Sequence, residues 1–274
     1  MSALEAIVLG IVQGLTEYLP ISSTAHLRIV PAIAGWKDPG AAFTAVVQLG
    51  TMAAVLVYFR HELVLLFRAV IESLRDRSVW RSDDTEARLG WYLIIGTIPV
   101  AVLGLAFNHI IEHQLRSLEL IGAMMVLVSL VLYTADRAGT RDRQLPGVTL
   151  RDGVIIGIAQ AAALIPGVSR SGATISMGLF RNFTRQSATR YSFLLSIPAV
   201  VLSGLFELRK IGGGSNHAGV APTILATIFA FIFGYLTIAW LLRYVRTHNF
   251  NIFVIYRVIV GLLVIGLAAS NTIK

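Results

Sequence analysis

The sequence predicts an all-α integral membrane protein, built as an inverted-topology repeat with about six transmembrane helices and two re-entrant helical hairpins. Three observations lead there. The 274 residues are 55% hydrophobic and only 14% charged, with a mean hydropathy of +0.73, too oily for a domain wetted on every side. Apolar runs long enough to cross about 30 Å of hydrocarbon recur along the chain. The arginines gather in alternate connections, the pattern that sets topology in a bilayer.

In chain order, the segment 1–35 opens with twenty residues that do not read as a cleavable leader, because Glu5 stands where a basic region belongs. Pro20 interrupts the segment, so it is expected to dip into the bilayer and return. Runs at 41–59, 91–108, 118–135, 191–206, 222–242 and 252–270 are the expected spans. Six arginines lie between Arg60 and Arg88, four between Arg137 and Arg151, three between Arg181 and Arg190, and two at Arg243 and Arg246. The positive-inside rule places those connections in the cytoplasm and both termini outside. Six spans then alternate only if 1–35 and 153–181 do not cross. The stretch 60–90 reads as a solvated cytoplasmic loop that also meets anionic headgroups. Membrane lipids are therefore expected partners; nucleic acid is not, since no recognition module is present. The glycine-rich 211–217 is an expected external loop. Asn182-Phe-Thr184 fits a glycosylation pattern but falls on the cytoplasmic side and is given no role. With no cysteine, disulfides and thiolate metal sites are excluded.

The two non-crossing segments resemble each other. Gly10-Ile-Val-Gln13 returns as Gly157-Ile-Ala-Gln160, and at the same offset Ser22-Ser-Thr-Ala25 faces Ser169-Arg-Ser-Gly172. Each block is split by a proline, Pro20 or Pro166. Three spans follow each segment, so the second half (153–270) enters upside down relative to the first (1–135). Short Gly/Ser strings match by chance in a glycine-rich chain, but here the match agrees with the separate arginine map. In such folds broken helices meet near the midplane and present their N-termini to a bound anion.

QGLTEYLPISSTAH, residues 13–26, then reads as a site. Gln13 and Glu17 share one helix face until Pro20 ends it. Ser22 can cap the returning half-helix, leaving the amides of about Ser23 to His26 as donors at the positive end of a dipole. In the second half Pro166-Gly167 turns the chain, Ser169 can cap, and Arg170 adds a fixed charge able to grip phosphate bidentately. Gln13, Ser22, Thr24, Ser169, Ser171 and Thr174 are the candidate substrate-binding groups. Glu17, Ser23, His26 and Arg170 are the candidate catalytic ones, since ionisable groups in apolar surroundings are costly. Ser22 and Ser169 fit plain helix capping as well as chemistry, and a lone His26 would fit a bond to a backbone carbonyl.

QGLTEYLPISSTAH and PGVSRSGAT (166–174) resemble the two signature motifs of the bacterial undecaprenyl-pyrophosphate phosphatases of the bacitracin-resistance type, and the similarity runs over essentially the whole chain. The resemblance implies a multi-pass enzyme of the bacterial cytoplasmic membrane that hydrolyses undecaprenyl diphosphate to the monophosphate and phosphate. That recycles the lipid carrier of cell-wall synthesis, with help from a divalent cation, Mg²⁺ or Ca²⁺. It further implies an acidic pair at Gln13 and Glu17, a nucleophile at Ser23, an acid/base at His26 and a phosphate-binding Arg170. Position 13 departs from the two-carboxylate form, so a cation would lean on Glu17, the diphosphate and water. Either Ser23 attacks phosphorus, or His26 and Glu17 activate water directly. A homodimer is compatible with the chain. The competing expectation is a secondary transporter or flippase for a lipid phosphate or other anion, which uses the same architecture.

Overall fold

The computed structural model describes residues 1–75, 84–107, 115, 117–211, 219–270 and 272–273. Among them the regular structure is helical, without a strand. The helices are α1 (Ala3–Tyr18), α2 (Ser23–Ala34), α3 (Gly40–Tyr58), α4 (Arg60–Arg75), α5 (Thr85–Ala106), α6 (Leu118–Ala138), α7 (Leu150–Ala162), α8 (Arg170–Phe180), α9 (Arg185–Ile211), α10 (Val220–Tyr244) and α11 (Asn251–Ala269). Four of these, α5, α6, α10 and α11, are long and apolar enough to cross a membrane. α3 contributes a shorter apolar stretch, Phe43–Tyr58. The surface agrees with a lipid surround. On α10, Val220, Ile224, Ile228, Ile232, Leu236 and Trp240 recur every four residues and are all exposed, forming one outward apolar stripe.

α1–α2 and α7–α8 are helical hairpins whose arms run 11 to 16 residues. At 1.5 Å per residue no arm reaches across about 30 Å. The second hairpin starts slightly before the expected 153, at Leu150, where Thr149 and Asp152 form a capping box. The two hairpins pack in matching ways on opposite partners: α1 lies along α10, and α7 lies along α5. Glycine permits both approaches. A Cβ on Gly10 would sit 2.9 Å from the Cα of Ala226, and one on Gly157 would sit 2.6 Å from the Cα of Gly96. Backbones that close need glycine on at least one side. α3 pairs with α9, and α6 with α11, between the two hairpin units.

One expectation fails. Residues 60–75 are not loop but the amphipathic helix α4, with Leu66, Ala69 and Ser73 buried on the side that packs on α5. Of its other apolar residues, Val64, Leu65, Phe67 and Leu74 are exposed, as on a helix lying at a membrane interface. The arginine count concealed the apolar period beneath it. Within 76–90, residues 76–83 lie outside the described residues, as do 212–218 of the glycine-rich loop.

The end of the bundle where the arginines gather is held by two buried carboxylates. Asp136 takes Arg185 Nε and the amide of Phe250, joining α6, α9 and the start of α11. Asp152 takes Arg143 at 2.6 Å, Arg181 at 2.7 Å, and both the hydroxyl and the amide of Thr149. Burial pushes the Asp152 carboxyl up, but the bonds from Arg143, Thr149 and Arg181 outweigh it and hold the group well below the usual carboxylate range. The arms of the second hairpin are thereby tied together at their open end.

Candidate active site

The two hairpin turns have nearly the same backbone. Ser22 sits at φ 74°, ψ 96°, and Ser169 at φ 71°, ψ 117°. Positive φ is unusual for serine, and each is held by its own cap. Ser22 Oγ accepts from the amide of Ala25 at 3.4 Å and its carbonyl from His26. Ser169 Oγ accepts from Gly172 at 3.1 Å and its carbonyl from Ala173. Both serines are therefore helix caps, buried beneath the turns. This narrows the expected anion cradle: the caps use the amides of Ala25 and His26, leaving those of Ser23 and Thr24, with those of Arg170 and Ser171 at the matching place opposite.

Glu17 is the hub. Its side chain is 4% exposed and takes four donors, two on each oxygen. Oε2 accepts from Ser23 Oγ at 2.6 Å and Gln13 Nε2 at 2.8 Å; Oε1 accepts from Arg170 Nη2 at 2.7 Å and Gln48 Nε2 at 3.0 Å. Glu17 and Arg170 come from different hairpins, so this ion pair closes one turn on the other. Ser171 repeats the link, donating to the Leu19 carbonyl at 2.9 Å and lying 3.1 Å from Ser169 Oγ. Thr174 faces inward to the Arg170 carbonyl and to Ser192. Thr24 alone of the candidate binding groups is exposed.

His26 stands apart from this cluster. Nδ1 lies 2.7 Å from the Ser22 carbonyl and must carry the proton there, since a carbonyl only accepts. Nε2 lies 2.7 Å from the Tyr256 hydroxyl, with the two rings nearly parallel at 10°. The hydroxyl of Ser23 is given to Glu17 rather than to His26.

Three residues of the site are absent from the expected set. Gln48 reaches Glu17 from α3, Tyr256 covers His26 from α11, and Arg257 lies fully buried beneath both turns. Gln48 and Arg257 are polar groups inside apolar runs, which is itself the signal that could have found them. Tyr256 leaves no such trace.

The donor set does not fit a resident divalent cation. No group of three or more His, Asp or Glu converges among the described residues. The one carboxylate present already accepts four hydrogen bonds, whereas a Ca²⁺ or Mg²⁺ cage needs several free oxygens. A separate cavity of 750 Å³ opens at the arginine-rich end, between Tyr58, Glu62, Leu89, Arg190 and Arg243.

Residues 6–263 match the family of the bacitracin resistance protein BacA. A Nocardioides protein named undecaprenyl-diphosphatase is 52% identical over 270 residues, covering 98% of each chain. A Chlorobaculum tepidum protein of the same name is 52% identical over 272 residues, covering 96% of this chain and 95% of the other. One from Myxococcus xanthus is 48% identical over 274 residues, covering 100% and 92%.

Proposed function

The chain belongs to the family of the bacitracin resistance protein BacA, and on that premise we propose how its site works as a membrane phosphatase. It hydrolyses undecaprenyl diphosphate to undecaprenyl phosphate and phosphate, the step that returns the lipid carrier to cell-wall synthesis. The observation that carries the mechanism is the 2.6 Å bond from Ser23 Oγ to Glu17, a nucleophile already facing its base. A carrier that only binds and releases a lipid phosphate has no use for that pair, so hydrolysis is favoured over transport.

The headgroup binds between the two turns. Its terminal phosphate meets the amides of Ser23 and Thr24 and those of Arg170 and Ser171, at the positive ends of α2 and α8. Arg170 turns from Glu17 to the phosphate, exchanging one anion for another. That leaves Oε1 to Gln48 alone and Oε2 to take the proton of Ser23 as Oγ attacks the terminal phosphorus. An Oγ–P bond forms and the P–O bond to the bridging oxygen breaks, its electron pair leaving with undecaprenyl phosphate. Water then hydrolyses the phosphoserine: Glu17 returns its proton to Ser23 Oγ as the Oγ–P bond breaks, takes one from the attacking water, and releases it to solvent as phosphate leaves. Arg170 and the amides carry the charge developing on the phosphoryl oxygens. His26, held by Ser22 and Tyr256, orients the first turn and supplies a second proton-exchanging group beside it. Mg²⁺ or Ca²⁺ would come bound to the diphosphate rather than held in a protein cage, and would there offset part of its charge.

The matched turns, caps and packing partners support an inverted repeat of 1–135 and 153–270, with α3, α5, α6, α9, α10 and α11 as the six spans and both hairpins re-entrant. Both termini lie outside the bacterial cytoplasmic membrane, and the Asp136 and Asp152 clusters lie inside. The prenyl tail lies in lipid against the apolar outer faces.

The deciding experiment follows phosphate release from undecaprenyl diphosphate by the parent and Ser23→Ala, with mass spectrometry of rapidly quenched enzyme. The reading expects hydrolysis by the parent, a phosphorylated Ser23, and loss of turnover with retained substrate binding in Ser23→Ala. Substantial turnover by Ser23→Ala would leave activated water as the mechanism. No release by the parent would return the transporter.

A further inference from the structure

Arg257 is a full charge in the middle of an apolar span, 0% exposed. No carboxylate lies within ion-pair distance of it among the described residues. Its partners are oxygen dipoles instead, drawn from three places. Nε donates to the Met125 carbonyl and to Ser129 Oγ, both at 3.1 Å, on α6. Nη1 donates to the Pro20 carbonyl at 3.0 Å, in the first hairpin turn. Nη2 donates to the carbonyls of Gly167 at 2.9 Å and Val168 at 3.2 Å, in the second. One rigid plane thus grips both turns and bolts them to the same helix. Gly172 leaves room for it: a Cβ there would meet Nη1 at 3.2 Å.

We propose that Arg257 is a positioning residue that sets the spacing of the two phosphate cradles and supplies a standing positive charge for the substrate's diphosphate to neutralise, an inference that rests on the phosphatase reading above. The gripped carbonyls immediately precede the caps: Pro20 stands two residues before Ser22, and Val168 one before Ser169. Fixing those carbonyls therefore fixes where the free amides of α2 and α8 point. The charge count agrees. Arg170 is paired with Glu17 and Arg257 has no carboxylate of its own among the described residues, so the site carries one positive charge in excess before substrate enters. Carbonyl dipoles satisfy the guanidinium's hydrogen bonds without cancelling that charge. Arginine is required because its five donors lie in a fixed fork, while a lysine ammonium is a point that cannot span two turns and a helix.

The test compares the parent with Arg257→Lys and Ser129→Ala, reading kcat and KM on undecaprenyl diphosphate, inhibition by orthophosphate, and amide hydrogen exchange in detergent. Ser129→Ala removes one anchor from the fork without touching the catalytic set, so it stands if Arg257→Lys does not fold. Misplaced cradles predict a kcat about 100-fold lower for Arg257→Lys and about fivefold lower for Ser129→Ala, the loss of one net hydrogen bond. Exchange is expected to rise at residues 19–26 and 166–173 together, with α10 unchanged, and orthophosphate to inhibit less well in Arg257→Lys. Parent-like kcat and exchange in Ser129→Ala would overturn the proposal, as would faster exchange at one turn alone or lost turnover with both turns as protected as in the parent. Failure of the phosphatase reading shows separately, as a parent that releases no phosphate, and the exchange measurement stands without it.

Discussion

Replacing Glu17 with Gln is expected to lower turnover about a thousandfold while tightening phosphate about tenfold. The two effects come from opposite oxygens of one carboxylate. Ser23 and Gln13 donate to Oε2, and Arg170 and Gln48 to Oε1. An amide keeps one acceptor and turns the other into a donor, so it faces two donors with a donor whichever way it lies. The base is lost in both orientations, and general-base assistance of this kind is worth about 10²–10⁴; the middle of that range is roughly 4 kcal/mol of barrier. Arg170, by contrast, is released from its 2.7 Å ion pair. A charge-assisted hydrogen bond contributes about 1.5–3 kcal/mol. Arg170 is 15% exposed, so about 1.4 kcal/mol returning to the phosphate is a conservative share, and that is tenfold in affinity. The assay is kcat and KM on undecaprenyl diphosphate together with inhibition by orthophosphate. A parent-like kcat with weakened phosphate inhibition would refute the reasoning and make Glu17 a spacer for Arg170. Recovery of turnover on adding Mg²⁺ would refute it differently, by making Glu17 a cation ligand.

Arg170→Lys keeps the charge but loses the planar fork shared between Glu17 and phosphate, so its kcat/KM is expected to fall about 100-fold; near-normal turnover would remove Arg170 from the phosphate. Asp152→Asn is expected to lose about 2 kcal/mol of stability at neutral pH, since the amide keeps one acceptor oxygen, loses the charge shared by two arginines, and turns a donor towards the groups that bonded the other oxygen. Because the folded state holds the Asp152 pKa below its unfolded value, its contribution is complete above about pH 4 and fades as pH falls towards the folded value. Thermal melting in detergent is therefore expected to drop less steeply with acid in Asp152→Asn than in the parent, and equal slopes would contradict this. For topology, an impermeant thiol reagent added to intact cells is expected to label Ser2→Cys and spare Thr247→Cys on this cysteine-free chain; the reverse pattern would invert the membrane orientation.

The parts of this site visible in the sequence are those written in local chemistry. Pro20 and Pro166 mark the breaks, and Ser22 and Ser169, at matched places beyond them, mark the caps. Glu17 and Arg170 stand out because charges are scarce in such a chain. The α4 helix was hidden because its arginines suggested a wetted loop, while the apolar period under them was short. Gln48 and Arg257 were visible as polar interruptions of apolar runs, yet nothing local says what they reach. Their partners lie 31 to 237 residues away along the chain. The Ser23–Glu17 pairing, and the turning of His26 towards Tyr256, depend on how the hairpins meet, which no window of sequence contains.

The distances along the chain also order events at the ribosome. Arg170 reaches back to Glu17 across 153 residues, Tyr256 to His26 across 230, and Arg257 to Pro20 across 237. Until α8 is made, Glu17 stands without its arginine, and until α11 is inserted the Pro20 carbonyl stays unmatched. The last contacts of the site, from Tyr256 and Arg257, are thus made by the last helix. A chain that stops before α11 carries both motifs but lacks the guanidinium that grips the two turns.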